Sequence, residues 1–269
     1  MSTSTDLNGA SRVSEAIRRA NVERRGALIG YLPAGFPDLD TSVEAAIALA
    51  RNGADVLEIG VPYSDPVMDG EIIQAATRQS LANGFKLRDL FTVIRRITEA
   101  VDTPVLVMTY WNPVMQYGVE RFAEDLKAAG GAGLITPDIT PDAAAEWIAV
   151  SERVGLDRVF LAAPTSTDAR IELIRDSSTG FVYTVSTMGI TGERASLDAA
   201  ARVLTARLRD AGVELPCVGI GISNADQVSA ALEYASGAIV GTALVRALRD
   251  GGVEGLSEVA REISQGTLR

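Results

Sequence analysis

Short apolar segments alternate with amphipathic helical patterns along nearly the whole chain, and this alternation limits the folds that are open to it. Eight segments have the length and the branched side chains of buried β-strands. They are 27–32, 55–61, 104–109, 133–137, 158–162, 181–185, 216–221 and 238–240. Helical patterns lie near 41–52, 71–83, 87–101, 120–129, 141–154, 168–177, 198–211, 224–234, 242–250 and 255–264. Repeated strand–helix units predict a parallel sheet that is covered by helices.

Eight such units in a chain of 269 residues have the usual count and size of a closed (β/α)8 barrel, an α/β fold. An open doubly wound sheet is the competing architecture, but its dinucleotide fingerprint is missing. The only near match, Gly219-Ile220-Gly221, lies late in the chain and lacks the third glycine. We therefore expect a disordered tail at 1–10 and a single (β/α)8 TIM barrel domain at 11–269. The segment SRVSEAIRRANVERR predicts an extra N-terminal helix.

The residue types that the chain lacks exclude several kinds of chemistry. It has no histidine and a single cysteine, Cys217, which excludes a Ser-His-Asp or Cys-His nucleophile and a zinc site of the usual histidine-containing kind. Its two lysines, Lys86 and Lys127, lie in a linker and on a polar helical face, where a Schiff-base lysine is not expected. Proton transfer must then be carried out by Asp, Glu or Tyr.

Charge and hydropathy limit the partners and the location of the protein. Lys+Arg 25 against Asp+Glu 35 gives a net charge of −10, which argues against nucleic acid or an anionic membrane as a partner. No segment resembles a signal peptide or a transmembrane span. Cys217 lies in an apolar strand, which is typical of a small buried side chain in a reducing compartment. We expect a cytoplasmic protein.

The segment LEIGVPYSDPVMDG at 57–70 places one carboxylate within a predicted strand and two more on the loop that follows. Because side chains alternate along a strand, Leu57, Ile59 and Val61 should face the helices and Glu58 the interior of the barrel. A buried carboxylate is costly unless it is paired or has a chemical role. An ion pair with a buried Arg or Lys and a catalytic role are both compatible with this pattern.

Two glycine-rich turns predict a phosphate site. The turn at 219–223 ends the seventh strand and Gly241-Thr242 ends the eighth, and each leads into a helix. Barrels often bind phosphate between these loops, because glycine lets the backbone approach and helix N-terminal amides face the anion. Ordinary turn glycines are the alternative. The polar loop 186–194 is either a mobile lid or a surface loop, and Asn112-Pro113 is compatible with a simple strand end.

Six motifs, in order and at compatible spacing, resemble one known family. They are YLPAGFPD at 31–38, LEIGVPYSDPVMDG at 57–70, MTYWNPV at 108–114, GITG at 189–192, GIGIS at 219–223 and GTA at 241–243. They resemble the α subunit of tryptophan synthase over the chain from Ala27 to about Arg249. The resemblance implies a retro-aldol cleavage of indole-3-glycerol phosphate to indole and glyceraldehyde 3-phosphate. It also implies no metal or organic cofactor, and a β subunit as the partner in an α2β2 complex.

The resemblance further implies roles for individual residues. Glu58 and Asp69 correspond to two catalytic carboxylates, and Tyr183 to an active-site tyrosine. Asp65 falls in the region that faces the β subunit. The remaining positions are expected to bind the substrate: Tyr31, Thr191, Gly192, Gly221, Gly241 and Thr242. Three places depart from the residues that many members carry: Glu71, Thr187-Met188 and Thr242.

Two other functions stay open at this point. Another phosphate-binding barrel, such as an isomerase of the histidine or tryptophan pathways, would need its carboxylates at other strand ends and would not need the YSDPxxDG loop. A catalytically silent regulatory partner of a β subunit would not need Glu58, Asp69 and Tyr183.

Overall fold

The structure is a computed structural model that describes residues 11–23, 25–185, 194–219 and 221–268. Within these ranges nine strands form one parallel sheet, and every predicted strand is present. The strands are β1 (Ala27–Pro33), β2 (Val56–Gly60), β3 (Val105–Met108), β4 (Gly133–Ile135), β5 (Asp157–Val159), β6 (Leu161–Ala162), β7 (Val182–Val185), β8 (Pro216–Gly219) and β9 (Gly237–Val240).

The sheet closes into a barrel. Its strand order is β5-β4-β3-β2-β1-β9-β8-β7-β6, so β5 and β6 lie at its two ends. These two strands are consecutive in the chain and are separated only by Phe160, whose carbonyl accepts a hydrogen bond from the Tyr183 amide at 3.1 Å. They form one interrupted strand that joins both ends of the sheet. The predicted (β/α)8 barrel is therefore confirmed.

Helices cover the outside of the barrel. In the described residues they are α1 (Arg12–Val22), α2 (Leu39–Arg51), α3 (Glu71–Ala82), α4 (Leu87–Thr98), α5 (Trp111–Tyr117), α6 (Val119–Ala128), α7 (Ala145–Val154), α8 (Asp168–Ser177), α9 (Arg194–Asp210), α10 (Ala225–Leu232) and α11 (Thr242–Gln265). Over the same residues, none of them has the length and apolar character that a membrane crossing requires.

Three features of the helices differ from the predicted pattern. Asn112 and Pro113 do not simply end a strand but lie in the first turn of α5, where a proline removes no intrahelical hydrogen bond. The pattern at 141–154 begins with a separate 3₁₀ turn, Pro141–Ala143. The two predicted final helices are both contained in α11, where Gly252 separates them with a left-handed φ of 61°.

Side-chain alternation divides the core into two layers. Leu57, Ile59 and Val61 lie in the layer between the sheet and the outer helices, as predicted. A second cluster lies inside the barrel and joins it to α1. Its members include Val13, Ile17, Val56, Leu106, Ile135, Val159, Cys217 and Ile239.

Helix α1 covers the end of the barrel at which the strands begin. The Ser11 side chain accepts a hydrogen bond from the Ser14 amide at 2.9 Å and donates one to Asp157 Oδ2 at 2.6 Å. Ser14 Oγ donates to the Gly180 carbonyl at 2.8 Å. Ile17 is fully buried, a contribution of about 1.5–3 kcal/mol for a side chain of this kind. Those predicted site residues that the structure describes lie toward the opposite end, where the strands finish.

Candidate active site

Glu58 occupies the middle of β2, and its register partners are Tyr31 on β1 and Leu106 on β3. The residue is fully buried, and among the described residues neither carboxyl oxygen has a hydrogen-bond partner. Burial raises the pKa of Glu58 to about 8, because an ionised carboxylate loses its hydration there. Of the two alternatives left by the sequence, an ion pair of Glu58 with an Arg or Lys is not found among the described residues. Glu58 is a neutral acid at pH 7.

This burial predicts a pH dependence of stability. The folded chain keeps the Glu58 proton up to a pH of about 8, whereas the unfolded chain loses it near 4.5. The stability associated with the neutral acid is fully present below the unfolded pKa. It is lost as the pH rises through the folded pKa, by about 1.4 kcal/mol for each pH unit that separates the folded from the unfolded pKa. In urea melts between about pH 5 and about pH 9, wild type should therefore lose a few kcal/mol more than Glu58→Gln.

Glu71→Gln is the matched control for this prediction, because Glu71 is an exposed glutamate at the start of α3. Its stability should change with pH as that of wild type does. Parallel stability curves for wild type and Glu58→Gln would show that Glu58 does not have the raised pKa.

Two tyrosines lie near Glu58 inside the barrel. Burial is the largest cause that raises the pKa of Tyr31, and Asp69 and Glu58 raise it further when they are ionised. Burial also raises the pKa of Tyr183, and Glu58, Cys217 and Asp69 raise it further when they are ionised. These effects place both phenols within electrostatic range of the two carboxyl groups. Both tyrosines stay protonated at neutral pH and can donate hydrogen bonds.

Glycines in neighbouring strands make room for the two tyrosine rings. A Cβ atom on Gly60 would overlap the hydroxyl group of Tyr31. A Cβ atom on Gly219 would lie 2.6 Å from the hydroxyl group of Tyr183. The two tyrosine rings thus fit inside the barrel only because the neighbouring strand positions are glycines, which have no side chain.

Asp69 lies on the loop between β2 and α3 and is half-buried. Burial raises the pKa of its carboxyl group. The Asp69 carbonyl accepts a hydrogen bond from Gln74 Nε2 at 2.8 Å, and the amides of Val67 and Met68 donate to Tyr110 Oη at 2.9 Å each. The sequence analysis missed Gln74 and Tyr110. The position of Tyr110, directly after the third strand, is the signal that could have identified it.

Asp65, the other aspartate of this loop, has different surroundings. It is exposed, and its Oδ2 accepts a hydrogen bond from the Ser64 hydroxyl at 2.6 Å. The charge of Asp69, and not that of Asp65, acts on the pKa values of Tyr31 and Tyr183. In the part of the chain that the structure describes, no three His, Cys, Asp or Glu side chains are placed to hold a metal ion together.

The two glycine-rich turns lie side by side, because β8 and β9 are neighbours in the sheet. Gly221 is exposed and has a φ of 66°, in the left-handed region that favours glycine. Gly241 directly precedes α11, which begins at Thr242. Helix α10 begins after Asn224, whose side chain accepts a hydrogen bond from the Gln227 amide at 3.0 Å. The N-termini of α10 and α11 therefore follow adjacent strands. This arrangement is suited to binding an anion.

Some predicted site residues lie outside the described residues. They are Thr191 and Gly192, together with Thr187-Met188. Only Arg194 of the predicted lid 186–194 is described, as the first residue of α9. The lid therefore stays a prediction. Asn112 lies exposed in α5, where its Nδ2 donates to the Tyr63 hydroxyl at 3.3 Å.

A cavity of about 440 Å³ lies at the same end of the barrel. Its lining includes Met68, which precedes Asp69, and Pro137, Leu161 and Val185 near the ends of three strands. The volume is within the range typical of small-molecule sites. The sequence analysis did not predict this cavity, because its walls come from segments far apart in the chain.

A closed (β/α)8 barrel with a buried carboxyl group on one strand, and a half-buried one on the loop that follows it, belongs to the class of barrel enzymes that carry their chemistry at the carboxyl ends of the strands. The family model described as "Tryptophan synthase alpha chain" matches residues 17–267. The chain therefore belongs to the tryptophan synthase alpha chain family. The resemblance found in the sequence is confirmed.

Individual relatives agree with this assignment. The tryptophan synthase alpha chain of Leifsonia xyli subsp. xyli is 65% identical over 259 residues, which cover 96% of this chain and 99% of the relative. That of Mycolicibacterium paratuberculosis is 50% identical over 258 residues, which cover 96% of this chain and 94% of the relative. A structure of Mycobacterium tuberculosis tryptophan synthase has a TM-score of 0.92 at 45% identity and covers 97% and 99%. A tryptophan synthase complex from Pyrococcus furiosus has a TM-score of 0.80 at 34% identity and covers 90% and 97%.

Membership in this family makes the chain a lyase of tryptophan biosynthesis with the role of an α subunit. The isomerase alternative is thereby excluded.

Proposed function

We propose that this chain cleaves indole-3-glycerol phosphate to indole and glyceraldehyde 3-phosphate in the cytoplasm, with its own side chains and no metal or organic cofactor. The observation that carries the proposal is Glu58, a fully buried carboxyl group with a raised pKa and no hydrogen-bond partner among the described residues. A carboxyl group whose ionised form is destabilised by burial is typical of a catalytic position. We assign the reaction to a single catalytic domain at 11–269.

The reaction needs one proton added to the ring carbon that carries the glycerol chain and one removed from the adjacent hydroxyl. Glu58 is suited to both transfers in turn, because a pKa of about 8 keeps it protonated at neutral pH. The neutral acid gives its proton to the ring carbon. The resulting carboxylate then accepts the hydroxyl proton as the carbon–carbon bond breaks and its electron pair returns to the ring. Glu58 ends the cycle protonated, ready for the next substrate.

Asp69 accepts the indole N–H and stabilises the positive charge that develops when the ring is protonated. The attraction of a half-buried carboxylate for this positive charge is stronger than that of an exposed one, since water screens it less. Tyr31 and Tyr183 bound the reacting centre, and the apolar side chains of the 440 Å³ cavity, Met68 and Leu161, are suited to the indole ring.

The substrate phosphate binds at the turns after β8 and β9. Gly221, Gly241 and Thr242 approach it there, and the N-termini of α10 and α11 favour its negative charge. Thr191 and Gly192, which lie outside the described residues, are the further phosphate-binding positions that the family resemblance implies. The net charge of −10 gives the protein no overall attraction for an anion, so these local groups must supply the binding.

Gly241→Val should raise KM for the phosphorylated substrate. A Cβ atom at Gly241 would lie 3.3–3.6 Å from the Tyr31 side chain, so the larger valine side chain crowds both the phosphate and this tyrosine. Loss of one hydrogen bond to a charged group costs about 1.5–3 kcal/mol, and we expect KM to rise about tenfold or more. Steady-state indole release measures KM, and competition by inorganic phosphate should weaken in parallel.

Gly251→Val is the matched control, because Gly251 is an exposed glycine of α11 at which an added Cβ atom would have no neighbour within 4 Å. Its KM should equal that of wild type. If the KM of Gly241→Val also equals that of wild type, the proposal that the phosphate binds at the turns after β8 and β9 is wrong.

A β subunit is the proposed partner, in an α2β2 complex. Val67, Met68 and Met115 are exposed apolar side chains, and Val67 is 83% exposed. Val67 and Met68 lie on the same loop as Asp65, at the end of the barrel that carries the site. Neighbouring exposed apolar side chains, such as those of Val67 and Met68, are typical of a protein interface.

Indole release from indole-3-glycerol phosphate tests the proposal directly. The isolated chain should form indole, and adding the cognate β subunit should change the rate. Co-purification of the two chains, with the mass of the complex, tests the α2β2 assembly. Absence of indole formation both alone and with bound β subunit would mean that the chain is a catalytically silent partner.

A further inference from the structure

We propose that Tyr110 is a positioning residue for Asp69: its hydroxyl oxygen holds the loop backbone that carries this aspartate at the reacting centre. This inference rests on the proposed function of Asp69. Tyr110 Oη accepts hydrogen bonds from two successive amides, those of Val67 and Met68, at 2.9 Å each. One side-chain oxygen therefore binds the loop immediately before Asp69.

Among the described residues, few other contacts hold the loop at this point. Val67 is 83% exposed and contributes little packing against the barrel, and Met68 is 40% exposed. Backbone hydrogen bonds therefore contribute strongly to where this segment lies. On the other side of the Asp69 Cα, Gln74 Nε2 donates to the Asp69 carbonyl at 2.8 Å. Tyr110 and Gln74 thus hold the backbone on both sides of the aspartate.

Tyr110 is itself held firmly. It follows β3 and directly precedes α5, and only 6% of it is exposed. Its ring packs on that of Tyr63 with the centroids 5.3 Å apart. The carboxylate of Asp138 accepts hydrogen bonds from the Trp111 amide at 2.9 and 3.1 Å and so fixes the start of α5 beside it. Because Tyr110 is held rigidly, its hydroxyl group can fix the position of the loop backbone that binds to it.

The expected consequence of losing the hydroxyl is a misplaced Asp69 rather than an unfolded protein. Tyr110→Phe keeps the buried ring and removes only the oxygen that accepts the Val67 and Met68 amides. A displacement of about 1 Å in a catalytic group costs on the order of 10²-fold in rate. We therefore expect kcat for indole formation to fall by roughly 10- to 100-fold. KM should stay close to wild type, because Tyr110 lies away from the proposed phosphate turns.

Two readouts separate positioning from a general structural effect. Hydrogen exchange at the Val67 and Met68 amides, measured without substrate, should become faster in Tyr110→Phe, while exchange in the barrel strands stays unchanged. The kcat effects of Tyr110→Phe and Asp69→Asn should not add, because Tyr110 acts through Asp69. The double variant should be as slow as Asp69→Asn alone.

Tyr63→Phe is the matched control. It removes a hydroxyl from the adjoining ring, where Asn112 Nδ2 donates to it at 3.3 Å, and leaves the loop amides paired. Its kcat and its exchange at Val67 and Met68 should match wild type. Unchanged kcat and exchange in Tyr110→Phe would overturn the proposal, and so would fully additive kcat effects. A wild-type chain that formed no indole would overturn the proposed function instead, while the exchange comparison would still decide whether Tyr110 holds the loop.

Discussion

Glu58→Gln should remove nearly all indole formation while the fold stays intact. The amide keeps the volume of the side chain, but it can neither give a proton to the ring carbon nor accept one from the hydroxyl. The loss of a positioned acid and base corresponds to at least ~10²–10⁴-fold in kcat. Indole release under saturating substrate measures the effect, and circular dichroism with thermal melts verifies the fold. Substrate binding should change little, because Glu58 acts on the reacting atoms and the phosphate binds elsewhere.

The pH profile of the wild type tests the order of the two transfers. If the neutral acid of Glu58 acts first, kcat/KM should be level near neutral pH and fall tenfold per pH unit above the pKa of about 8. A rate that rises with pH up to about 8 would mean that Glu58 enters the cycle as the carboxylate. Glu71→Gln, which alters an exposed glutamate near the same loop, should keep both the rate and the profile of wild type. Retained turnover in a well-folded Glu58→Gln variant would end the assignment.

Asp69→Asn should lose most of the activity as well. The amide cannot carry the negative charge that stabilises the protonated indole ring, and removal of one such electrostatic group costs about 10²–10³-fold in kcat. The fold should be retained, because Asp69 is only half-buried and its carbonyl, not its carboxylate, accepts the bond from Gln74. Steady-state kinetics on the isolated chain measures the loss.

Asp65→Asn provides the comparison within the same loop. Asp65 is exposed, and its carboxylate accepts a hydrogen bond from the neighbouring Ser64 hydroxyl at 2.6 Å. In the isolated chain this variant should turn over like wild type, and it should lose activity chiefly when the β subunit is present. Should the Asp65 change prove more damaging than the Asp69 change in the isolated chain, the assignment of the two aspartates would have to be exchanged.

Several features of this protein could be predicted from the sequence because they are local properties of the chain. The period of two along a strand assigned Leu57 and Ile59 to the outer layer and Glu58 to the interior, whichever strands lie beside β2. The eight strand–helix units were recognisable from apolar runs and short connections, and these led to the barrel. The ordered motifs led to the family.

Other features could not be predicted, because they depend on the elements that pack or pair with the segment. Pro113 is compatible with a strand end and with the first turn of a helix, and only the packing of α5 decides between them. The single strand predicted at 158–162 became β5 and β6, because its ladder partners change at Phe160: β5 pairs with β4, and β6 with β7. Such differences depend on neighbours that the local pattern does not contain.

By itself, the sequence determined the fold class, the direction in which Glu58 points and the loop on which Asp69 lies. Only the tertiary structure decided whether Glu58 is paired, and how the Asp69 loop is held. The pKa of a carboxyl group depends on everything that surrounds it, and Glu58 is buried only because the closed barrel excludes water around it. The Tyr110 hydroxyl meets the Val67 amide across 43 positions of the chain. Contacts of that separation exist only once the strands have assembled, and no local pattern contains them.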